Sequence, residues 1–156
     1  PESIDDDALV DRAMRAGEIV AYADRTVTAL SGGERARVAF ARTRAQNCQI
    51  AMLDEPTASL DIRHQHRVLD ETRAHVDAGG AAVVVLHDLA LAAAYADRVA
   101  ILEGGRIVAT GPPRAVLTAE LLTQVYRHPV AVFDGPDGEL IVSSCTSARS
   151  PQEVSA

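Results

Sequence analysis

No lysine occurs in the 156 residues; the 15 residues counted as Lys or Arg are all arginines, from Arg12 to Arg149. That absence excludes a Schiff-base lysine, a Ser-Lys dyad and a complete phosphate loop of the GxxxxGK[ST] kind. A coding bias toward arginine and alanine accounts for it at most positions. Tryptophan is also absent, and aromatic residues make up only 3%. The core must therefore be aliphatic and alanine-rich. Tyr22, Phe40, Tyr95, Tyr126 and Phe133 are too scattered to form a base-stacking platform. A net charge of −7 argues against broad nucleic-acid binding, which needs a basic face. Two cysteines, Cys48 and Cys145, make no disulfide framework and fit a reducing compartment. The longest apolar stretch, Leu89 to Ala96, is far short of the roughly 18 residues a membrane span needs. No basic-then-apolar leader opens the chain, so no secretion signal is expected. The chain begins at Pro1 rather than at Met. What remains, 47% hydrophobic and 24% charged, is ordinary for one globular domain with a real core.

Residues 1–29 read as helical and polar, with Asp5, Asp6 and Asp7 ahead of Ala8, Leu9, Ala13, Met14 and Ala16, and Gly17 as a stop. After the turn-like Leu30-Ser31-Gly32-Gly33, a helix is expected from Glu34 to Gln46. Ile50 to Leu53 is a short apolar run that stops at Asp54-Glu55-Pro56, the pattern of a buried strand. A helix should run from about Ile62 to Ala78 and close at Gly79-Gly80. Ala81 to Leu86 reads as a second buried strand ending at His87, and Asp88 can cap a helix to about Ala96. Val99 to Leu102 and Arg106 to Ala109 flank Glu103-Gly104-Gly105, a hairpin signal. Ala115 to Val125 looks helical, and Val130 to Phe133 with Glu139 to Val142 form a second hairpin candidate. From Ser143 the composition predicts a disordered tail. Strands alternating with helices point to an α/β fold with a partly parallel sheet, whose ligands sit beyond the carboxyl ends of the strands.

Two strand ends carry unusual chemistry. Asp54 directly at a strand end can hold a hard cation through water. Glu55, on the other side of the pleat, can reach a different atom such as an attacking water. The plain alternative is that both acids cap the following turn. Ser31-Gly32-Gly33-Glu34 has capping-box spacing, so it need be nothing more than a well-capped helix. Its two glycines would also let backbone N–H groups approach an anion, with the helix dipole in favour. His87 is either a satisfied boundary residue or a group that reaches a phosphate or orients a water. His64 and His66, two apart on a helix, do not share a face and are expected to be solvated rather than metal ligands.

Taken in order, Leu30-Ser31-Gly32-Gly33-Glu34, Ile50-Ala51-Met52-Leu53-Asp54-Glu55-Pro56-Thr57, Ser59-Leu60-Asp61 and His87-Asp88 resemble the ATP-binding cassette (ABC) ATPases over about Tyr22 to Val132. On that resemblance Ser31 to Glu34 match the signature motif and Ile50 to Asp54 the Walker B strand. Glu55 matches the catalytic carboxylate, Ser59 to Asp61 the D-loop and His87 the switch histidine. Leu60-Asp61-Ile62-Arg63-His64-Gln65 looks like the D-loop extension of importers of iron chelates, haem and cobalamin. Tyr95-Ala96-Asp97-Arg98-Val99, Gly111-Pro112-Pro113, Leu121-Leu122 through Val125-Tyr126 and His128-Pro129-Val130 look most like the haem importers. The family's Walker A loop, adenine-stacking aromatic and Q-loop lie upstream of the signature, and residues 1–30 do not hold them. Gln46 and Gln49 lie downstream and are not the Q-loop.

The resemblance therefore implies the carboxyl-terminal part of an ABC nucleotide-binding domain, a RecA-like P-loop NTPase core plus the end of the helical subdomain. Residues 1–47 would end the helical subdomain, 48–142 would form the second half of the core and 143–156 the disordered tail. It implies ATP and Mg²⁺ as cofactors, with Asp54 holding Mg²⁺ through water, Glu55 and His87 as catalytic residues, and Ser31, Gly32, Gly33, Glu34, Ser59 and Asp61 around ATP. It implies a homodimer with a second nucleotide-binding domain and an integral-membrane permease, with a substrate-binding protein met indirectly. No nucleic acid is implied, and the place of work is the cytoplasmic face of the inner membrane. The full-length protein would be a transport-coupled ATPase for haem or iron chelates, and the chain alone would be inactive. A siderophore or cobalamin importer stays open, as does a truncated chain with only a structural role. A DNA-repair or chromosome-organising ATPase would need long heptad arms and a basic surface, and neither appears.

Overall fold

The computed structural model describes residues 4–145. They divide into two units, one ending at His87 and the other beginning at Asp88.

In the first unit, α1 (Ile4–Ala16) stops at Gly17, and two short 3-10 turns at Val20–Tyr22 and Val27–Ala29 lead to α2 (Gly32–Ala45). β1 (Ile50–Asp54), α3 (Ile62–Asp77) and β2 (Ala81–Val85) form a βαβ unit with the two strands parallel. The register pairs Met52 with Val83 and Asp54 with Val85, so β1 and β2 end side by side. Ala13, Ile19 and Ala41 pack α1 and the loop after it onto α2. Phe40, Leu53 and Val68 join α2, β1 and α3 in a second cluster. Gly79, at φ +96°, takes the left-handed position that ends α3 as expected.

Both strands were expected to be buried. They are covered on one face only. Ile50 is 62% exposed, Met52 76% and Val83 57%, whereas Leu53 on the opposite face is buried. The reason is coverage: β1 and β2 pair only with each other among the described residues, and Phe40 and Val68 cover the Leu53 face alone.

In the second unit, Asp88 caps α4 (Leu89–Tyr95) through Oδ1, which accepts from the N–H groups of Ala90 and Leu91. Two antiparallel hairpins follow, β3 (Val99–Glu103) with β4 (Arg106–Gly111) and β5 (Val130–Asp134) with β6 (Leu140–Ser144). Gly104 and Gly105, at φ +56° and +75°, make the first hairpin turn. Ile101, Val116, Leu117 and Leu122 form the core of this unit.

The sequence suggested one helix from Ala115 to Val125. The structure has two, α5 (Pro113–Val116) and α6 (Ala119–Tyr126). Thr118 is extended and its hydroxyl accepts from Leu121 N, starting a new helix. Ser143 and Ser144, expected to belong to the tail, instead pair with Ala131 and Val130 in β6. The rest of that expectation, residues 146–156, lies outside the described residues.

Candidate functional site

The site residues fall into two groups in the first unit. The first is built on the ends of β1 and β2. Asp54 is the last residue of β1 and its side chain faces solvent. Glu55 then turns out of the strand at φ +47°, a region a bulky residue rarely adopts. Its N–H donates to Val85 O at 3.1 Å, which fixes Glu55 against the end of β2. His87, two residues beyond β2, places Nε2 2.7 Å from Glu55 Oε1. The imidazole is 81% and the carboxylate 46% exposed, so both open to solvent. Parallel register creates this contact between residues far apart in sequence. The pair can hold and orient a water or a phosphate oxygen beyond the strand ends.

The second group is the start of α2. Ser31 is its N-cap and a full capping box forms. Ser31 Oγ accepts from Glu34 N at 3.3 Å, and Ser31 N donates to Glu34 Oε2 at 2.7 Å. Glu34 is thereby turned back onto the cap. Its carboxyl is held below its ordinary pKa by the Ser31 N–H first and the Ser31 hydroxyl second. The first-turn N–H groups at Gly32 and Gly33 have no intrahelical acceptor, as at any helix start.

Ser59 and Asp61 bear on this second group. A Cβ on Gly33 would lie 3.0 Å from Ser59 O, so the absence of a side chain allows this approach. Ser59 itself is at φ +63°. Asp61 caps α3, accepting from His64 N at 2.9 Å and contacting His64 Nδ1 at 2.7 Å. Those two contacts, in that order, lower its pKa. Among the described residues no hydrogen bond or ion pair joins the Ser31–Glu34 turn to Asp54, Glu55 or His87.

A cavity of about 670 Å³ lies elsewhere, between α1, α2, β1 and α3, with Arg12, Arg44, Cys48 and His75 on its walls. None of the candidate residues lines it. Among the described residues no cluster of three or more His, Cys, Asp or Glu could hold a metal by itself. A lone carboxylate at a strand end does fit Mg²⁺, which takes most of its oxygens from water and phosphate.

His64 departs from expectation. Its side chain is only 18% exposed and lies between Asp61 and Glu18 rather than in solvent. Glu18 was not singled out from the sequence. The available signal was its position directly after a helix-ending glycine, where left-handed backbone is common. It sits at φ +51°.

A parallel βαβ unit with acids and a histidine at its strand ends, joined to a Gly-rich capped helix, is the arrangement of nucleotide-hydrolysing α/β domains. The chain belongs to the ABC transporter family, whose model matches residues 2–58. It is 58% identical over 136 residues to the hemin import ATP-binding protein of Rhodococcus jostii, covering 87% of this chain and 47% of that one. Its identity to the protein of the same name from Streptomyces coelicolor is 57%, covering 88% and 50%. The cobalamin import ATP-binding protein of Halobacterium salinarum is 46% identical, covering 84% and 33%. The chain thus spans about half the length of the hemin-import relatives. Among solved structures, the fold matches one described as a metal-chelate type ABC transporter with TM-score 0.79, at 24% identity, covering 94% of this chain and 60% of that one. A dimeric bacterial ABC transporter cassette matches with TM-score 0.66 at 26% identity, covering 73% and 50%. The architecture is that of part of an ABC nucleotide-binding domain.

Proposed function

We propose that this chain supplies the signature, Walker B, D-loop and switch-histidine part of the ATP site in an importer ATPase that energises haem uptake. The Glu55–His87 contact at 2.7 Å carries the reading, because it joins a carboxylate and an imidazole where parallel strands end. Glu55 would accept hydrogen bonding from the attacking water and align it for the γ-phosphate. His87 would hold Glu55 in place and donate to a γ-phosphate oxygen. Asp54 would hold Mg²⁺ through water, and that ion would offset phosphate charge when bound. Ser31 and the N–H groups of Gly32 and Gly33 would clamp the γ-phosphate of a second domain's ATP, with Ser59 and Asp61 alongside. Glu34 would act by holding the cap.

Two such domains would work as a homodimer under an integral-membrane permease, at the cytoplasmic face of the membrane, with a substrate-binding protein delivering cargo. Among the described residues no helix is long and apolar enough to cross a membrane, so the permease would do so. Haem is favoured by the names and identities of the relatives from Rhodococcus and Streptomyces. Cobalamin is the second reading, supported by the Halobacterium relative.

In the complete ATPase, Glu55→Gln should lower hydrolysis by about 10²–10⁴-fold and leave ATP binding intact. Near-normal turnover of that variant would overturn the role given to Glu55. The 156-residue chain alone should hydrolyse no ATP, since it contains no GxxxxGK[ST] loop. Uptake measured with the cognate permease, haem against cobalamin, separates the two cargo readings.

A further inference from the structure

We infer that Glu18 is a positioning residue for the proposed hydrolysis, holding the signature helix α2 to the helix α3 that begins at the D-loop. The inference rests on the ATPase reading above. Glu18 makes its two sets of contacts through different atoms. Its main-chain O accepts from Arg37 Nη1 of α2 at 3.0 Å. Its carboxylate faces α3: Oε1 accepts from Arg63 Nη2 at 2.6 Å and lies 3.6 Å from Arg67 Nη1, while Oε2 is 3.5 Å from His64 Nε2. His64 passes the connection on, since its Nδ1 meets the Asp61 cap at 2.7 Å. Arg67 Nε also donates to Ala16 O at 3.0 Å, holding the end of α1 two residues before Glu18.

The two arginine contacts, the more exposed ones, are poorly suited to stability and well suited to geometry. Arg63 is 69% exposed, and ion pairs in water contribute little net stabilisation. The left-handed backbone of Glu18 belongs to the cap that closes α1, its N–H donating to Arg15 O at 3.1 Å and that of Ile19 to Met14 O at 2.9 Å, and this cap aims the carboxylate at α3. What the clamp fixes is the relation of two motif-bearing segments. Gly33 and Ser59 already approach so closely that a Cβ would lie 3.0 Å from the Ser59 carbonyl. A small displacement there would misplace the phosphate-facing N–H groups of α2, and catalytic rates are steep in such errors.

The test uses the complete ATPase. Glu18→Asn removes the carboxylate but suits a left-handed backbone, so its melting temperature should not fall. Its kcat should fall about tenfold while KM for MgATP changes less than about twofold. His64→Ala should behave alike, and the double variant should be no slower than the slower single, as for one coupled unit. Glu18→Asp, which keeps the charge, should recover part of the rate. Unchanged kcat in both single variants, or losses that multiply in the double, would overturn the clamp. So would a loss of rate matched by a loss of melting temperature. If Glu18→Asn does not fold, His64→Ala decides from the α3 side by the same criteria. Glu55→Gln and the unaltered protein measured alongside separate the two ideas. If the unaltered complete protein hydrolyses no MgATP, the ATPase reading falls and the clamp with it; if Glu55→Gln retains turnover, only the role given to Glu55 falls. If Glu55→Gln abolishes turnover while Glu18→Asn and His64→Ala do not slow it, only the clamp falls.

Discussion

Glu18, Glu55 and Ser59 share a backbone feature, positive φ, that costs roughly 1–3 kcal/mol for a residue with a side chain. Glu55 and Ser59 are themselves candidate site residues, whereas Glu18, like Asn47 and Arg127, takes positive φ where a helix ends. The three differ in what sets the conformation. Glu55 is held by Val85, distant along the chain, so its conformation was not legible in the sequence, whereas Glu18 sits in the local cap after Gly17, where its N–H donates to Arg15 O and that of Ile19 to Met14 O. Glu34, like Glu18, is a local case. Its cap follows from spacing alone, Ser31 and Glu34 being three apart. Because hydrogen bonds from Ser31 lower the folded pKa of Glu34, its contribution to stability is present above the unfolded pKa. It is lost as pH falls through the lowered folded value. Glu34→Gln keeps the cap without titrating. On acidification through the carboxylate range its melting temperature should therefore fall less steeply than that of the unaltered protein. Equal slopes in thermal melts would show that Glu34 does not carry this dependence.

At the scale of elements, most starts and stops follow from local chemistry. Asp61 and Asp88 begin α3 and α4, and Gly17 and Gly79 follow helix ends. The break between α5 and α6 did not follow, because Ala115 to Val125 keeps a helical pattern through it. There the cap at Thr118 outweighs the periodicity of its neighbours. Thr118→Ala should cost about 1 kcal/mol in denaturant unfolding, the usual worth of an N-cap. Gly33→Ala tests a tertiary constraint instead. Alanine suits a helix, so an isolated α2 peptide should gain helicity from the change. In the folded protein the added Cβ meets the Ser59 carbonyl at 3.0 Å and the contact must yield. The variant should be destabilised, and a stabilised protein would show that the approach is loose.

At the scale of the whole molecule, the core is aliphatic, as the scarcity of aromatics requires. Leu122 is fully buried among Ile101, Val116 and Leu117, and Leu122→Ala should cost about 2–5 kcal/mol in unfolding experiments. The exposed face of β1 and β2 is the larger departure. Ile50, Met52 and Val83 form apolar surface of the kind monomeric proteins seldom leave open. The 156-residue chain should bind an apolar dye such as ANS, and Met52→Ser with Val83→Ser should reduce that signal. No change would mean the face is covered in solution.

The sequence by itself determined the α/β alternation, both hairpins, the caps at Ser31 and Asp88 and the order of motifs that marks the family. These are local patterns, written in neighbouring residues and their spacing. Tertiary structure alone decided that His87 meets Glu55, since that contact depends on two strands ending in parallel register. It likewise decided which face of those strands is covered, and that Glu18 contacts both α2, through Arg37, and α3, through Arg63 and His64. Apolar composition states only that a strand can be buried. Which partner covers it, and which side chains meet at its end, are settled when distant segments pack.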